Sequence, residues 1–250
     1  MVARSLFVVS CCCVLGLGRT PDLPPDPPSD LLYRAQAVND HLFDTLKSFV
    51  CDETIERFRG TLQSPVGRQL DTVTSTVSFE NGSEHYSRIK QDNHSRPTLA
   101  SISGAWSEGE FGTLLRQTKQ LLAVEPVMFQ NLEQLDGEWA AIYEFDVTAA
   151  DSPWDLVIDS REFHVPFHSK IWISVKSGNI LRVSRSSASI PRDFQISEIQ
   201  WMVSLRSVAM NGASWLLPVT GEYAVSYVGL NRRDWNRLTF LNWSTDLQQR

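Results

Sequence analysis

The chain has 250 residues, of which 42% are hydrophobic, so it can bury a sizeable core and wholesale disorder is excluded. Its 23 lysines and arginines are outnumbered by 29 aspartates and glutamates, and the net charge of −6 argues against nucleic acid as a partner, because such binding needs a clustered basic face. Four cysteines, three of them contiguous at positions 11–13, exclude a disulfide framework.

The first 18 residues have the pattern of a secretory signal peptide. Arg4 gives a positively charged start, residues 6–17 are uncharged and mostly apolar, and small glycines stand at positions 16 and 18. This order is the one that signal peptides show. The apolar run is shorter than the roughly 20 residues that a transmembrane helix needs, so the sequence predicts a mature chain without a membrane span.

A signal peptide predicts that the protein works in the periplasm or outside the cell. The alternative is a lipoprotein anchored at Cys11, since residues 8–11 loosely fit a lipobox. The apolar stretch before Cys11 is short for such a motif, which makes anchoring there the less favoured outcome.

Residues 19–28 form a proline-rich spacer, with five prolines between Pro21 and Pro28. Such a segment favours the polyproline II conformation and cannot join a sheet. We expect a single β-rich domain over residues 29–250, because no second linker and no internal repeat follow. Cys51 would be the one cysteine left after cleavage. Its place on an apolar strand face with Phe49 and Ile55 predicts a buried thiol, and no neighbouring histidine favours a nucleophile.

One helix opens this domain. Ser29 and Asp30 can cap it, and apolar residues then recur at the spacing of one helical stripe. The stripe consists of Leu31, Leu32, Ala35, Val38, Leu42 and Leu46. We expect this helix to lie across a sheet with the stripe buried.

From Phe49 onward the apolar residues alternate with a period of two, which is typical of half-buried strands. Turn residues at 81–82 and 176–179 each join two such segments. The predicted strand segments are 72–79, 84–91, 139–147, 170–175, 180–187, 197–205, 215–219, 222–228 and 237–243. Long strands joined by short turns indicate an antiparallel meander.

A second helix is predicted over residues 108–123, where apolar residues return to helical spacing. Two helices beside many antiparallel strands define an α+β domain. We expect a long meander that forms a curved sheet or an incomplete barrel, with the N-terminal helix and the helical insertion packed on it.

One candidate for catalysis is the pair Ser87 and Lys90, which matches the SxxK motif of penicillin-recognising enzymes, while 176–178 imitates their KTG motif. In those enzymes the serine and lysine lie one helical turn apart. Here the segment alternates as a strand, which predicts that Ser87 and Lys90 point to opposite faces. The sequence therefore favours coincidence.

His164 and His168 are the candidates for metal binding, but Pro166 between them argues for extended chain and no third ligand or HExxH motif is near. No P-loop, GxGxxG or CxxC motif occurs, so neither a metal nor a cofactor is predicted. Acidic residues such as Glu108 and Glu110 could serve a glycosidase only if they faced a cleft. The segment around Asp155 is expected to be a polar surface loop.

Five tryptophans fall in predicted strands. They can fill a core, because each buries a large area, or they can line an apolar cavity that accepts a lipid or acyl chain. These residues are Trp139, Trp172, Trp201, Trp215 and Trp243.

The segment KIWISVKSGNILRVSRSSASIPRDF resembles a hairpin motif of the outer-membrane lipoprotein-sorting (LolA/LolB-like) superfamily. The matching residues are Ile171, Trp172, Ile173, Ser177, Gly178, Asn179 and Arg182. WLLPV at 215–219 is similar to a YLLP strand of secreted soil-bacterial proteins with that architecture. The chain departs from the motif at Ser174, where the superfamily has an acid.

The resemblance implies an incomplete barrel around a hydrophobic cavity that helices cover, and a carrier that holds acyl chains by burial. The cavity would be lined by inward strand residues, if the strand register is as predicted. We expect these to be Tyr143, Phe145, Ile171, Ile173, Leu181, Val183, Trp201 and Val203.

The sequence therefore favours a non-enzymatic binding or carrier protein for an apolar ligand, such as a lipid or a lipoprotein acyl chain. Two alternatives stay open. One is a secreted hydrolase that uses Ser87 with Lys90 or a pair of carboxylates. The other is a structural or interaction module bound to an envelope protein.

Overall fold

The computed structural model describes residues 27–64, 67–80, 82–110 and 112–246. The predicted signal peptide and most of the proline-rich spacer lie outside these residues. Within the described ranges, neither helix combines the length and the apolarity that crossing a bilayer requires.

Helix α1 spans Leu31–Thr45 and helix α2 spans Gly112–Val124. The buried face of α1 carries Leu31, Ala35, Asn39 and Leu42. The sequence predicts Val38 on this face, but Val38 is only partly buried and Asn39 is buried in its place. Helix α2 begins four residues after its predicted start, because Gly109 has a left-handed φ of +95° that interrupts helical geometry. Short 3-10 helices lie at Leu99–Ser101 and Arg192–Phe194.

The described residues contain thirteen strands, most of which the period-two pattern predicts. They are β1 (Phe49–Gly60), β2 (Arg68–Glu80), β3 (Ser83–Gln91), β4 (His94–Ser95), β5 (Met128–Leu135), β6 (Glu138–Val147), β7 (Asp155–Ile158), β8 (Arg161–His164), β9 (Phe167–Ser174), β10 (Ile180–Ser187), β11 (Ile196–Met210), β12 (Ala213–Tyr227) and β13 (Arg233–Ser244).

Eleven of these strands form one open antiparallel sheet in the order β4-β3-β2-β1-β13-β12-β11-β10-β9-β6-β5. Pairing of β1 with β13 joins the first and last parts of the chain, and the edges at β4 and β5 leave the barrel incomplete. Strands β7 and β8 form a separate hairpin, so the segment around Asp155 is not the irregular surface loop that its composition predicts. The fold is the α+β arrangement expected from the sequence.

One face of the large sheet packs against both helices, and we call it the covered face. Its strand residues share a single core with Leu31 and Ala35 of α1 and with Leu114 and Leu115 of α2. Cys51 lies in this core with no exposed surface, as its position on an apolar face predicts. A second, small cluster of Leu135, Ala140, Ile142 and Trp172 lies on the opposite face, which we call the outer face.

The hairpin between β9 and β10 holds α1 in place. Gly178 adopts a φ of +80°, and a Cβ atom there would lie 3.1 Å from the Cβ of Arg34. Arg34 Nη2 donates a hydrogen bond of 2.8 Å to the carbonyl of Val175. Ser174, which stands where the lipoprotein-sorting motif has an acid, donates to Glu138 Oε2 at 2.5 Å and accepts from the Ser177 amide at 3.2 Å.

Candidate functional site

The covered face gathers most of the residues that the sequence proposes as a cavity lining. Seven of the eight belong to the core that both helices cover, and they are Tyr143, Phe145, Ile171, Ile173, Val183, Trp201 and Val203. Leu181 packs instead with the small cluster on the outer face. The predicted inward orientation of Leu181 is wrong, because an irregularity between Ile180 and Arg182 shifts the strand register by one residue. That these side chains contact a ligand stays a prediction.

An aromatic group fills the middle of the covered face, between β9, β11 and the segment before β7. The Trp154 ring lies 5.7 Å from the Phe167 ring and 6.4 Å from the Trp201 ring, measured between centroids. The Arg185 guanidinium carbon lies 4.7 Å from the centroid of Phe167 and 5.2 Å from that of Trp201. A cation is thus held among aromatic rings under the helices.

Arg185 is nearly inaccessible to solvent, at 3% exposure. Its Nη1 atom donates a 3.0 Å hydrogen bond to Oε1 of Gln117 in α2. Its Nε and Nη2 atoms are buried and have no hydrogen-bond partner among the described residues. Burial lowers the pKa of the guanidinium to about 9, which still leaves it charged at neutral pH.

Arg57 is equally buried on the covered face, but its guanidinium is fully bonded. Its Nε and Nη2 atoms donate to the two carboxylate oxygens of Asp71 at 2.6 and 2.5 Å, and Nη1 donates to the Ser103 carbonyl at 2.8 Å. Gln91 donates a further 2.7 Å bond to Asp71. This bidentate pair fixes β1, β2 and the segment that follows the first 3-10 helix.

Several acidic side chains lie around the N-terminus of α2, and Glu84 among them is partly buried. Glu84 Oε1 accepts a 2.9 Å hydrogen bond from the Thr113 amide in the first turn, and its Oε2 accepts from the Tyr86 hydroxyl at 2.9 Å. Tyr86 in turn accepts from the Gly109 amide at 3.0 Å. A carboxylate at this position also suits the positive end of the helix dipole. These bonds fix the start of α2 over β3.

Glu53 and Glu110 are fully buried beside that network. Burial raises the pKa of Glu110 to about 7, and the negative charges of Glu84 and Glu108 add to the effect. Burial also raises the pKa of Glu53 well above its ordinary value, with a contribution from Glu110, although the Ser75 hydroxyl donates to it at 2.8 Å. The two carboxyl groups oppose each other's ionisation.

A surface cavity of about 260 Å³ lies beside the C-terminal half of α2. Its lining residues are Gln117, Gln120, Leu121, Val124, Glu125, Asp151 and Pro153. Gln117, which bonds to Arg185, is therefore also part of the cavity wall. Gln117 Nε2 donates to the Pro153 carbonyl at 3.2 Å across the cavity.

A second cavity, of about 220 Å³, is formed by β10 to β13. Strand pairing aligns Ser184 with Met202 and Glu222, so these side chains lie on the outer face, opposite to Arg185. Gln200 and Arg233 meet at this cavity through a 2.5 Å hydrogen bond. Arg185 and Trp201 also belong to the lining of this cavity.

The catalytic candidate Ser87 and Lys90 is exposed on β3. Ser87 pairs with Thr76 and Lys90 with Thr74, two positions apart on β2, so the two side chains share one face. This corrects the predicted opposite orientation, and the cause is a bulge at Arg88, whose φ is +50°. Ser87 donates a long hydrogen bond of 3.4 Å to the Thr76 carbonyl.

The histidine pair is separated between the two sheets. His164 Nδ1 lies 2.6 Å from Asp155 Oδ1 in the small hairpin, and His168 Nδ1 lies 2.9 Å from Asp146 Oδ1 in the large sheet. Among the described residues, no group of three histidine, cysteine or acidic side chains is arranged to hold a metal ion.

Sequence patterns point to part of this site. Alternation in β1 places Glu53 and Arg57 on the same face as Cys51 and Ile55, so charges on an apolar face are visible in the sequence. The same parity places Arg185 with Val183. No local pattern shows that Arg57 has a carboxylate partner, whereas none of the described carboxylates pairs with Arg185. Both outcomes depend on segments that are distant in the sequence.

No protein-family model matches this chain, and no curated protein matches it. Among solved structures, it is similar to a DUF1329 family protein from Desulfovibrio piger, with 14% identity, coverage of 90% of this chain and 95% of that one, and a TM-score of 0.49. It is also similar to a LolA superfamily protein from Nitrosomonas europaea, with 10% identity, coverage of 88% and 94%, and a TM-score of 0.40.

A third similar structure is an outer membrane lipoprotein-sorting protein domain from Vibrio parahaemolyticus. Identity is 8%, coverage is 87% of this chain and 92% of that one, and the TM-score is 0.43.

Proposed function

We propose that this protein is a non-enzymatic carrier or binding protein for an apolar ligand, such as a lipid or the acyl chain of a lipoprotein. The ligand would lie between the covered face and helix α2. The observation that carries this proposal is the covered face itself, an apolar surface closed by helices in place of a second sheet.

Helix α2 is suited to admit a ligand. It packs on the sheet through side chains such as Leu114, Leu115 and Thr118, whereas the strands are joined by main-chain ladders. Displacement of its C-terminal half would therefore leave intact both the hydrogen bonds of the sheet and the bonds of Glu84 and Tyr86 at the start of the helix. An acyl chain that replaced the helix contacts would gain about 0.8 kcal/mol for each buried methylene group.

The volume of the cavity beside α2 supports a moving helix. At about 260 Å³ the cavity is smaller than the roughly 300–1,000 Å³ typical of small-molecule sites. A long chain would need the additional space that α2 occupies. The proposed site would therefore widen by a movement of α2 as the ligand enters.

The proposed location is the periplasm or the exterior of the cell, with residues 29–250 as one folded domain. This follows from the predicted signal peptide over residues 1–18 and the spacer over 19–28. In such a location, a protein that shields an acyl chain from water would let it pass between membranes or be stored.

A matched pair of substitutions tests the proposed site. Ile171 and Ile142 are buried on neighbouring strands, but Ile171 is on the covered face and Ile142 is on the outer face. Threonine keeps the branched shape and places a hydroxyl group in the apolar surface. We expect Ile171→Thr to weaken binding of 1-dodecanol about fourfold to tenfold and Ile142→Thr to leave it within twofold, as measured by titration calorimetry.

Thermal unfolding of both variants is the control, since both substitutions remove core methyl groups. Equal losses of stability with unequal losses of binding would support the covered face as the site. Binding that falls equally in both variants, or that is absent from the wild-type protein, would contradict the proposal.

A further inference from the structure

Arg185 is a buried cation whose capacity to donate hydrogen bonds is mostly unused. A guanidinium group has five N–H bonds, and in the described structure its hydrogen bonding is confined to Nη1, which bonds Gln117. Buried donors without acceptors are costly and rare in folded proteins. No carboxylate of the described residues forms an ion pair with Arg185, and burial alone shifts its pKa.

The surroundings of Arg185 contain another unused donor. Trp201, which pairs with Arg185 across β10 and β11, has a buried Nε1 without a hydrogen-bond partner among the described residues. Its ring stacks near the guanidinium at 5.2 Å. Phe167 covers the guanidinium on another side at 4.7 Å, which fixes the orientation of the fork. Donors without acceptors thus gather at one point of an apolar interior.

Gln117 connects this point to the surface. Its Oε1 atom is the acceptor for Arg185, and its side chain lines the 260 Å³ cavity beside α2. A ligand that entered by this cavity would meet Gln117 first and Arg185 behind it. Glu125 and Asp151 at the cavity rim would repel an anion, but Asp151 is exposed and Glu125 is partly exposed, so water screens their charges.

We propose that Arg185 binds the acidic head group of an acyl-chain ligand, with an oxyanion accepting from Nε and Nη2. This inference rests on the proposed function, because it names the chemical class of the ligand that the covered face holds. A carboxylate or a phosphate presents two oxygens at the spacing of the guanidinium fork. The apolar tail would lie along the covered face.

The experiment compares ligands that share one chain and differ in head group. Titration calorimetry with the full-length protein uses dodecanoate, dodecyl phosphate and 1-dodecanol, with acetate and inorganic phosphate as anions that lack a chain. We expect the wild-type protein to bind dodecanoate or dodecyl phosphate at least tenfold more tightly than 1-dodecanol. The tighter of the two anions identifies the head group.

Two variants and one control assign the preference to Arg185. Arg185→Met is expected to reduce the preference for the anionic ligand to within twofold of 1-dodecanol while binding of 1-dodecanol persists. Gln117→Leu removes the competing acceptor and is expected to tighten binding of the anionic ligand about threefold. Arg206→Met, at an exposed arginine that pairs with Asp136 on the surface, removes the same charge elsewhere and is expected to preserve the preference.

The outcomes separate this inference from the proposed function. A preference that survives in Arg185→Met, or wild-type protein that binds all three chain ligands equally, overturns the role of Arg185 and leaves the carrier function standing. Failure of every chain ligand to bind overturns both. Inorganic phosphate that binds as tightly as dodecyl phosphate would assign the site to a free anion and overturn the lipid head group.

Discussion

Arg57 and Arg185 are equally buried on the same face of one sheet, yet their surroundings differ completely. Arg57 is joined to Asp71 by two hydrogen bonds and to the Ser103 carbonyl by a third. Arg185 is joined only to the amide oxygen of Gln117 in the described structure, and its other neighbours are aromatic rings. Arg57 therefore connects three segments of the fold, whereas Nε and Nη2 of Arg185 have no acceptor among the described residues.

The difference shows which buried charge supports the fold and which does not. Removing a partner from a complete buried pair leaves an uncompensated charge, so such a pair cannot be broken cheaply. Arg185 has no carboxylate partner among the described residues, so the folded protein already includes the free-energy cost of removing this charge from water. The folded state should therefore depend on Arg57 and should not depend on Arg185.

The largest expected effect is that of Arg57→Met. The substitution leaves Asp71 buried with Gln91 as its remaining side-chain partner, and we expect a loss of about 3–5 kcal/mol in the free energy of unfolding. Urea denaturation at neutral pH measures it. Since Arg57 lowers the pKa of Asp71, its contribution in the wild-type protein is present at neutral pH and is lost as the pH falls below about 4. A loss below 1 kcal/mol would show that the pair is not structural.

Substitution of Glu110, at the start of α2, is expected to give the next largest change in the free energy of unfolding. The unfolded chain ionises Glu110 near its ordinary pKa of 4.5, whereas the folded protein retains the proton until about pH 7. The folded state therefore binds more protons between these values, and its stability falls as the pH rises from 4.5 to 7. We expect Glu110→Gln to remove this fall and to be more stable than wild type at pH 8, by up to about 3 kcal/mol.

Denaturation curves at pH 4.5 and pH 8 test the role of Glu110. Glu108→Gln is the matched control, because Glu108 is on the same segment but exposed. It should give a smaller gain at pH 8. Equal behaviour of the two variants, or a gain for Glu110→Gln at pH 4.5 as large as at pH 8, would argue against a buried ionising carboxyl group.

Arg185→Met is expected to change stability less than these variants do, and with a sign opposite to that of Arg57→Met. Methionine fills a similar volume with apolar atoms, so we expect a gain of about 1–2 kcal/mol. The exposed Arg206→Met should change stability by less than about 0.5 kcal/mol. A loss of more than 1 kcal/mol on Arg185→Met would show that this arginine has a structural role, and the contrast with Arg57 would fail.

The sequence predicts the sheet because apolar alternation is a local property. It also predicts the burial of Cys51 and the course of α1. The prediction ends β11 at residue 205, although the strand continues to Met210. The Asn211–Gly212 turn, with φ angles of +52° and +78°, is a hairpin pattern that could have revealed this extension.

Errors of facing have a different origin. Strict alternation predicts the wrong face for Leu181 and opposite faces for Ser87 and Lys90, because each strand contains an irregularity that changes the alternation. Such bulges depend on pairing with a neighbouring strand, which a single segment does not encode. That Nε and Nη2 of Arg185 have no hydrogen-bond partner among the described residues likewise depends on how β9, β10, β11 and α2 pack together.

Native mass spectrometry of the full-length protein, purified from the cells that produce it naturally, tests the central claim most directly. We predict that part of the protein carries the added mass of one apolar molecule, which denaturation releases. Protein of bare mass, both as purified and after incubation with 1-dodecanol and dodecanoate, would contradict a carrier function for the covered face.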